Sequence, residues 1–345
     1  MNPHDFPHHS PESKPMAHCP VSPSRRTALI TLGAATAALA SPATAQAAYP
    51  SRPIKMVVGY APGGAVDMAA RVVADLLTDK LGTTVVENQP GAAGVIAAQR
   101  VVNSPADGYT LLTGSSNEMA ATGLVNRAQR YDPLVDLLPL GLVGTGPMLL
   151  MAGPKESVKT LDEFITRVKR NPGRFTYGSS GIGSGLHFAG ELIKQRAGLF
   201  ITHIPYRGTA PLANDLIGGA LDFAIMTPTA AAPFIQNGRL TPLGVTSAQR
   251  FPSLPQVPAL GEHPQLKGYE LNVWFALAAP KGLPEGIAQQ LRDALRAGLA
   301  EPSFRRRLED GGSIPATGRE DLPGLMRADI AKYAALVKFA PQMRE

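Results

Sequence analysis

The stretch Ile54-Lys55-Met56-Val57-Val58-Gly59-Tyr60-Ala61-Pro62-Gly63-Gly64-Ala65-Val66-Asp67-Met68-Ala69-Ala70-Arg71-Val72-Val73-Ala74-Asp75-Leu76-Leu77 decides the fold class. Residues 54–60 are a short apolar run of buried-strand length, stopped by Ala61-Pro62-Gly63-Gly64. Beyond the glycines, Ala69, Val72, Val73, Leu76 and Leu77 recur at i, i+3, i+4 spacing, which is one face of a helix. Strand, glycine turn and amphipathic helix make the opening βα unit of an α/β fold.

The alternation continues along the chain, and it predicts largely parallel sheets. Val85-Val86 starts a second strand, and residues 90–94 turn into a helix that runs through Val102. Asp107-Gly108 turns into a strand over 109–113, and 140–143 and 148–151 are two more strands split by 144–147. Thr160 and Glu163 form a capping box for a helix to about Arg170, ended by Asn171-Pro172-Gly173. A strand over 175–178 runs into Ser179-Ser180-Gly181-Ile182-Gly183-Ser184, and the next helix turns Phe188, Ala189, Leu192 and Ile193 inward. His203-Ile204, 221–226, 243–246 and 274–278 read as strands, Leu212, Leu216 and Ile217 mark a helix, and 251–264 reads as a long ordered loop. After Ala278 only helices are expected: 287 to about 300, 304–308, and 325 to about 338. With no strands of their own to cover, they must pack back onto the first sheet. Domain 1 is therefore discontinuous, 48–151 with 275–345, and domain 2 is 152–274, with crossings near Ala152 and Trp274.

Residues 1–47 stand apart. Residues 1–24 are rich in Pro, His and Ser, with no apolar period, and read as a disordered extension. Arg25-Arg26 then precedes an uncharged apolar run over 28–40, and Ala43-Thr44-Ala45 and Ala45-Gln46-Ala47 each offer a small-residue cut. That is a secretory signal peptide, cleaved after Ala45 or Ala47, and the arginine pair resembles a twin-arginine export signal. The run is too short to span a bilayer, so the expected product is periplasmic and not membrane-embedded. The single cysteine, Cys19, falls in the removed segment, which leaves no disulfide and no cysteine metal site. Net charge is +6 in 345 residues with no basic block, so nucleic acid is a poor partner.

Two loops carry the candidate chemistry. Tyr60, Pro62, Gly63 and Gly64 lie where a strand ends and a helix begins, and Ser180, Gly181, Gly183 and Ser184 hold the same place in the second domain. Unpaired amides at a helix N-terminus suit an anion. The plain alternatives are an ordinary βα turn and a Ser184 helix cap. Asp67 falls in the first turn of its helix; it is either a dipole-favoured carboxylate or, facing the cleft, a partner for an amine, amide or hydroxyl. Ser115, just past a strand end, reaches the cleft or is an ordinary loop serine. Tyr206-Arg207-Gly208 follows a strand edge, with an arginine that pairs with a carboxylate or faces solvent. The first loop matches neither G-x-G-x-x-G nor the P-loop, so a nucleotide is not expected. His187, His203 and His263 share no metal-ligand spacing, and no G-x-S-x-G is present, so neither a metal site nor any cofactor is expected.

Several motifs in order give a resemblance. Pro53-Ile54, Ala61-Pro62-Gly63-Gly64-Ala65-Val66-Asp67, Glu87-Asn88-Gln89-Pro90-Gly91-Ala92-Ala93-Gly94 and Asp107-Gly108-Tyr109-Thr110-Leu111-Leu112 resemble the Bug/TctC family of tripartite tricarboxylate transporter substrate-binding proteins. Tyr177-Gly178 with the Ser179-to-Ser184 loop, His203-Ile204-Pro205-Tyr206-Arg207-Gly208, Gly218-Gly219, residues 250–258 and Trp274 fit as well. Tyr60 stands for the usual Phe, and Ala93 for a Gly. The resemblance implies a periplasmic-binding-protein-like (type II) Venus-flytrap, two α/β domains joined by two crossing segments. It implies a monomer that binds a small organic acid through the two loops and serves a two-component membrane permease or a sensor. It implies no catalysis. A hydrolase or decarboxylase acting on a carboxylate is the alternative, but it lacks a nucleophile, a metal constellation and a cofactor loop; an exported scaffold is a third reading and would not need paired Gly/Ser loops.

Overall fold

A computed structural model describes residues 49–206 and 209–341 of the chain. The leader with Cys19, Arg25-Arg26 and both cut sites, and also Arg207-Gly208, lie outside the described residues.

The opening unit forms as its periodicity requires. β1 (Ile54–Val58) is flanked by β2 (Thr84–Asn88) and β3 (Thr110–Ser115), both parallel to it, with Met56 opposite Val86 on one side and Leu111 on the other. α1 (Ala65–Lys80) and α2 (Val95–Val102) make the crossovers and bury Ala69, Val72, Val73, Leu77, Ala98 and Val101. Six strands complete this sheet in the order β11-β4-β10-β3-β1-β2, with β4 (Leu137–Gly146), β10 (Val273–Pro280) and β11 (Ile314–Pro315). β10 is buried along its whole length and runs antiparallel to both β3 and β4.

The second sheet has the order β7-β6-β8-β5-β9. Its members are β5 (Leu149–Ala152), β6 (Thr176–Ser179), β7 (Thr202–Pro205), β8 (Phe223–Met226) and β9 (Thr241–Val245). β6 is parallel to β7 and β8, whereas β5 is antiparallel to β8 and β9. Both sheets are thus mixed, which corrects the largely parallel expectation. Apart from the β11 edge, the antiparallel pairs fall on the two strands that follow a change of sheet: β5, reached from β4 through Pro147 and Met148 alone, and β10, which comes after β9 of the second sheet. β5 accordingly belongs to the second sheet, so the step between sheets precedes Met151.

Four helices clothe the second sheet: α3 (Leu161–Arg170), α4 (Gly185–Ala197), α5 (Thr209–Gly218) and α6 (Pro228–Gln236). Thr160 Oγ1 accepts the Glu163 amide at 3.2 Å, while Glu163 Oε2 accepts the Lys159 amide at 2.8 Å, so the reciprocal bond of the cap lands one residue early. The terminal helices are α7 (Glu285–Ala300), α8 (Pro302–Asp310) and α9 (Leu322–Phe339). α7 packs on β4 and α1, as expected of helices returning to the first sheet. Two features depart from expectation. β11 adds an edge strand between α8 and α9, and α9 also reaches α4, where Tyr333 lies on Phe188 with ring centroids 4.5 Å apart.

Trp274 pairs with Thr145 inside the first sheet, is 2% exposed, and donates from Nε1 to Asp329 Oδ2 of α9 at 2.8 Å. Its place near a crossing does not make it a solvent-exposed hinge side chain.

Candidate ligand-binding site

β1 delivers Tyr60 and the Ala61-Pro62-Gly63-Gly64 loop to its carboxyl end, where open α/β sheets place ligands. Pro62, Gly63 and Gly64 are exposed, and Gly63 has a φ of 88°, a left-handed value that favours glycine. Gly64 caps α1 in extended conformation with no side-chain hydrogen bond. Asp67 is buried, with both carboxylate oxygens engaged within the protein. Its Oδ2 accepts the Gly63 amide at 2.8 Å and Arg71 Nε at 2.9 Å, and its Oδ1 accepts Asn88 Nδ2 at 2.7 Å and Arg71 Nη2 at 3.1 Å. Burial raises this carboxyl, but the bonds from Arg71, Asn88 and Gly63 outweigh it and hold the group below its ordinary value. Asp67 therefore ties the loop to its helix while Arg71 cancels its charge. The amides of Gly64, Ala65 and Val66 make no bond among the described residues.

Beneath this loop, Tyr60 Oη lies 2.9 Å from Ser115 Oγ and 2.8 Å from Glu118 Oε2, and accepts from Asn117 Nδ2 at 3.0 Å. Ser115 also gives its amide to Glu118 Oε1 and its hydroxyl to Oε2, both at 2.7 Å. Ser115 is completely buried, and its hydroxyl is engaged with Tyr60 and Glu118. Burial pushes the Glu118 carboxyl up to about 6, with the Ser115 and Tyr60 bonds pulling it back. Burial, reinforced by Glu118, raises the Tyr60 phenol well above its ordinary value.

The second loop follows β6. Ser184 caps α4, accepting the His187 amide at 3.2 Å and donating to the Gly181 carbonyl at 2.8 Å. The Ser184 and His187 pair is thus a cap and not a catalytic couple. Gly183 is buried, with a φ of 73°; a Cβ there would stand 2.5 Å from Val125 Cγ2, and its amide donates to His187 Nδ1 at 3.2 Å. Ser179 Oγ accepts the Gly181 amide at 3.3 Å and bonds His203 Nε2 at 2.7 Å. Tyr206 is half-buried beside the loop, its amide on the Ser179 carbonyl at 2.9 Å and its hydroxyl on Asp215 Oδ2 at 2.8 Å. What the loop leaves unbonded, among the described residues, is the Ser180 hydroxyl and the amides of Ser180, Ile182 and Leu186.

One side chain brings the two loops together. Asn117, in the π-helical turn Asn117–Ala121 after β3, holds Tyr60 Oη with Nδ2 and accepts the Gly185 amide at 2.8 Å with Oδ1. The residue before the first loop and the residue after the second are therefore bridged by one carboxamide. Sequence reasoning missed Asn117, Glu118 and Asn88. The polar run Ser115-Ser116-Asn117-Glu118 behind a buried strand is a visible signal, but no spacing rule says what it will meet.

A groove of about 610 Å³ elsewhere, lined by Arg71, Asp75, Val85 and Arg307 among others, shares no lining residue with either loop. Among the described residues, no three His, Cys, Asp or Glu side chains gather as a metal-ligand set. No described helix is long and apolar enough to cross a membrane.

Comparison with known proteins gives consistent matches. The family described as tripartite tricarboxylate transporter family receptor matches residues 69–339. Protein BugT of Bordetella pertussis is 35% identical over 320 residues, covering 91% of this chain and 97% of that one. Among solved structures, R. palustris Rpa4515 with adipate has a TM-score of 0.78 at 34% identity, covering 85% of this chain and 98% of that one. MatC from Rhodopseudomonas palustris with bound malate has a TM-score of 0.74 at 28% identity, covering 84% of this chain and 100% of that one.

Proposed function

This chain belongs to the tripartite tricarboxylate transporter receptor family, and we propose that it captures a small organic carboxylate between its two glycine loops without converting it. The observation that carries this reading is the Asn117 bridge, which sets two helix N-termini with unbonded amides on either side of one side chain. Gly64, Ala65 and Val66 supply amides from the first half; Ser180 and Ile182 supply amides, and Ser180 a hydroxyl, from the second. Neutral donors aimed from helix N-termini attract a carboxylate without a fixed cation. Tyr60, Asp67, Ser115, Gly181, Gly183, Ser184 and Tyr206 hold those donors in place, and Pro62 forms the exposed rim.

Relatives solved with adipate and malate support a dicarboxylate as ligand. The two sheets act as two lobes in this reading, with the segments at Pro147-Met148 and just before Val273 as the crossings. Export through the leader, periplasmic action as a monomer, and delivery to a two-component permease or a sensor complete the proposal. A hydrolase has one observation in its favour, the 2.7 Å bond between Ser179 and His203. Ser179 is completely buried, however, so no substrate carbonyl reaches its hydroxyl.

Calorimetric titration of the secreted form with adipate, malate and tricarboxylates, followed by product analysis, tests the function. Stoichiometric binding with the acid recovered intact is expected. Ser180→Ala should lose roughly 1.5–3 kcal/mol of affinity, the worth of a hydrogen bond to a charged group, with no change in melting temperature. Turnover of the acid, or affinity untouched by Ser180→Ala, would defeat the proposal.

A further inference from the structure

A polar cluster lies under the second loop and touches no surface assigned to the ligand. His187 of α4 and His203 of β7 stack face to face, with centroids 3.7 Å apart and planes 11° from parallel. Glu191, buried, accepts from Tyr177 Oη and from Lys194 Nζ, each at 2.7 Å, and its Oε1 stands 3.8 Å from His187 Nε2. The Gly183 amide donates to His187 Nδ1 at 3.2 Å.

That last contact decides a tautomer. An amide N–H only donates, so Nδ1 must carry a lone pair, and the proton of a neutral imidazole then sits on Nε2, toward Glu191. We propose that His187 is a positioning residue for ligand capture: as the Nε2–H tautomer it holds the Gly183 amide, and so sets the loop that presents Ser180 and Ile182 to the carboxylate. This inference rests on the carboxylate-receptor reading of that loop. Gly183 offers no other handle, because it has no side chain and Val125 leaves no room for one. The other ties of the loop fix its two ends, Gly181 through Ser179 Oγ and Ser184 Oγ and the start of α4 through Ser184 Oγ and Asn117, so among the described residues the Gly183 amide between them is held by His187 alone.

A second proton on the imidazole would set Nδ1–H against the Gly183 N–H, donor facing donor, and turn the loop. The titratable groups facing the ring are His203 from β7, Tyr177 from β6, and Glu191 and Lys194 from α4 itself. Burial, with His203 and Lys194, pulls His187 down to about 2, which keeps the acceptor available.

Two substitutions separate positioning from packing. His187→Asn keeps an acceptor near Nδ1 and loses the ring; His187→Phe keeps the ring and its stack on His203 and loses the acceptor. With adipate and malate as calorimetric probes, His187→Asn should bind within about threefold of the unaltered chain. His187→Phe should bind about tenfold more weakly, the worth of roughly one hydrogen bond. The reverse order would overturn the proposal. Should either variant fail to fold, NMR of the unaltered chain labelled with ¹⁵N-histidine and ¹⁵N-glycine decides without any ligand. Nδ1 of His187 should resonate as an unprotonated nitrogen from pH 8 to 5 and couple to the Gly183 amide across the hydrogen bond. A protonated Nδ1, or no coupling, overturns the proposal. Failure of the unaltered chain to bind any carboxylate, with that coupling present, strikes instead at the function from which the inference starts.

Discussion

At Asp67 a carboxylate sits within one turn of the amides proposed for an anionic ligand, and Arg71, at 2.9 and 3.1 Å, offsets its charge. The same economy of charge appears at the buried histidines, which burial depresses to about 2 for His187 and about 4 for His203. An unfolded histidine titrates near 6.5, so below that pH the unfolded chain binds protons that the folded chain refuses. Stability is therefore lost as pH falls from about 6.5, by up to about 1.4 kcal/mol per pH unit for each full proton difference. The His203 contribution to that loss ends near 4. Glu118 has the opposite sign. With its carboxyl pushed up to about 6, the folded chain takes a proton before the unfolded one does, so lowering pH from about 6 towards 4.5 adds stability. Thermal melts across pH 7 to 4 should show a steeper acid loss in Glu118→Gln than in the unaltered chain, confined to the window between about 6 and 4.5. Parallel curves through that window would mean that Glu118 is ionised throughout.

Among the elements, α4 carries the most demanding N-terminus. Its Gly185 amide goes to Asn117 at 2.8 Å and its His187 amide to Ser184 at 3.2 Å, which leaves the Leu186 amide unbonded among the described residues. A helix end needs such partners because its first amides have none within the helix. Ser184→Ala removes the cap and the bond to the Gly181 carbonyl together, so it should cost about 1 kcal/mol of stability or somewhat more. Affinity should fall as well, since Gly181 then loses one of its ties. A variant that binds normally and melts normally would show that the cap is idle. Ser180→Ala differs in kind, because the Ser180 hydroxyl makes no bond among the described residues and its loss should register in affinity alone.

For the molecule as a whole, capture of a ligand between two lobes is expected to stabilise the folded chain by mass action. A ligand at about one hundred times its dissociation constant adds roughly 2.7 kcal/mol, which a melting scan reads directly. Closure should leave the tryptophan spectrum unchanged. Trp274 is 2% exposed, sits on β10 within the first sheet and is bonded to Asp329, so a lobe motion carries its surroundings with it. A shift in emission on saturation with a calorimetrically proven ligand would mean that β10 and α9 move apart. The Tyr333 and Phe188 contact between α9 and α4 is the more sensitive reporter of relative motion, because it joins helices that pack on different sheets.

The sequence by itself determined the α/β class, most strand and helix positions and the two Gly/Ser loops, and its ordered motifs pointed to the family. Those features are local: apolar period, turn chemistry and helix caps are written within a dozen residues of each other. Ala61-Pro62-Gly63-Gly64 after a buried strand is legible without knowing what lies opposite. The direction of β10, the membership of β5 in the second sheet and the edge strand at Ile314 depended on which distant segments meet, and periodicity is silent on that. The site divides along the same line. Its loops were visible in the sequence, but only the tertiary structure showed that Asp67 and Ser115 are buried behind the first loop and that Gly183 turns its amide to His187. Only there did Asn117 bridge residues 60 and 185. A hydrogen bond needs its partner within about 3 Å, and for residues so far apart in the chain that distance is set by packing alone.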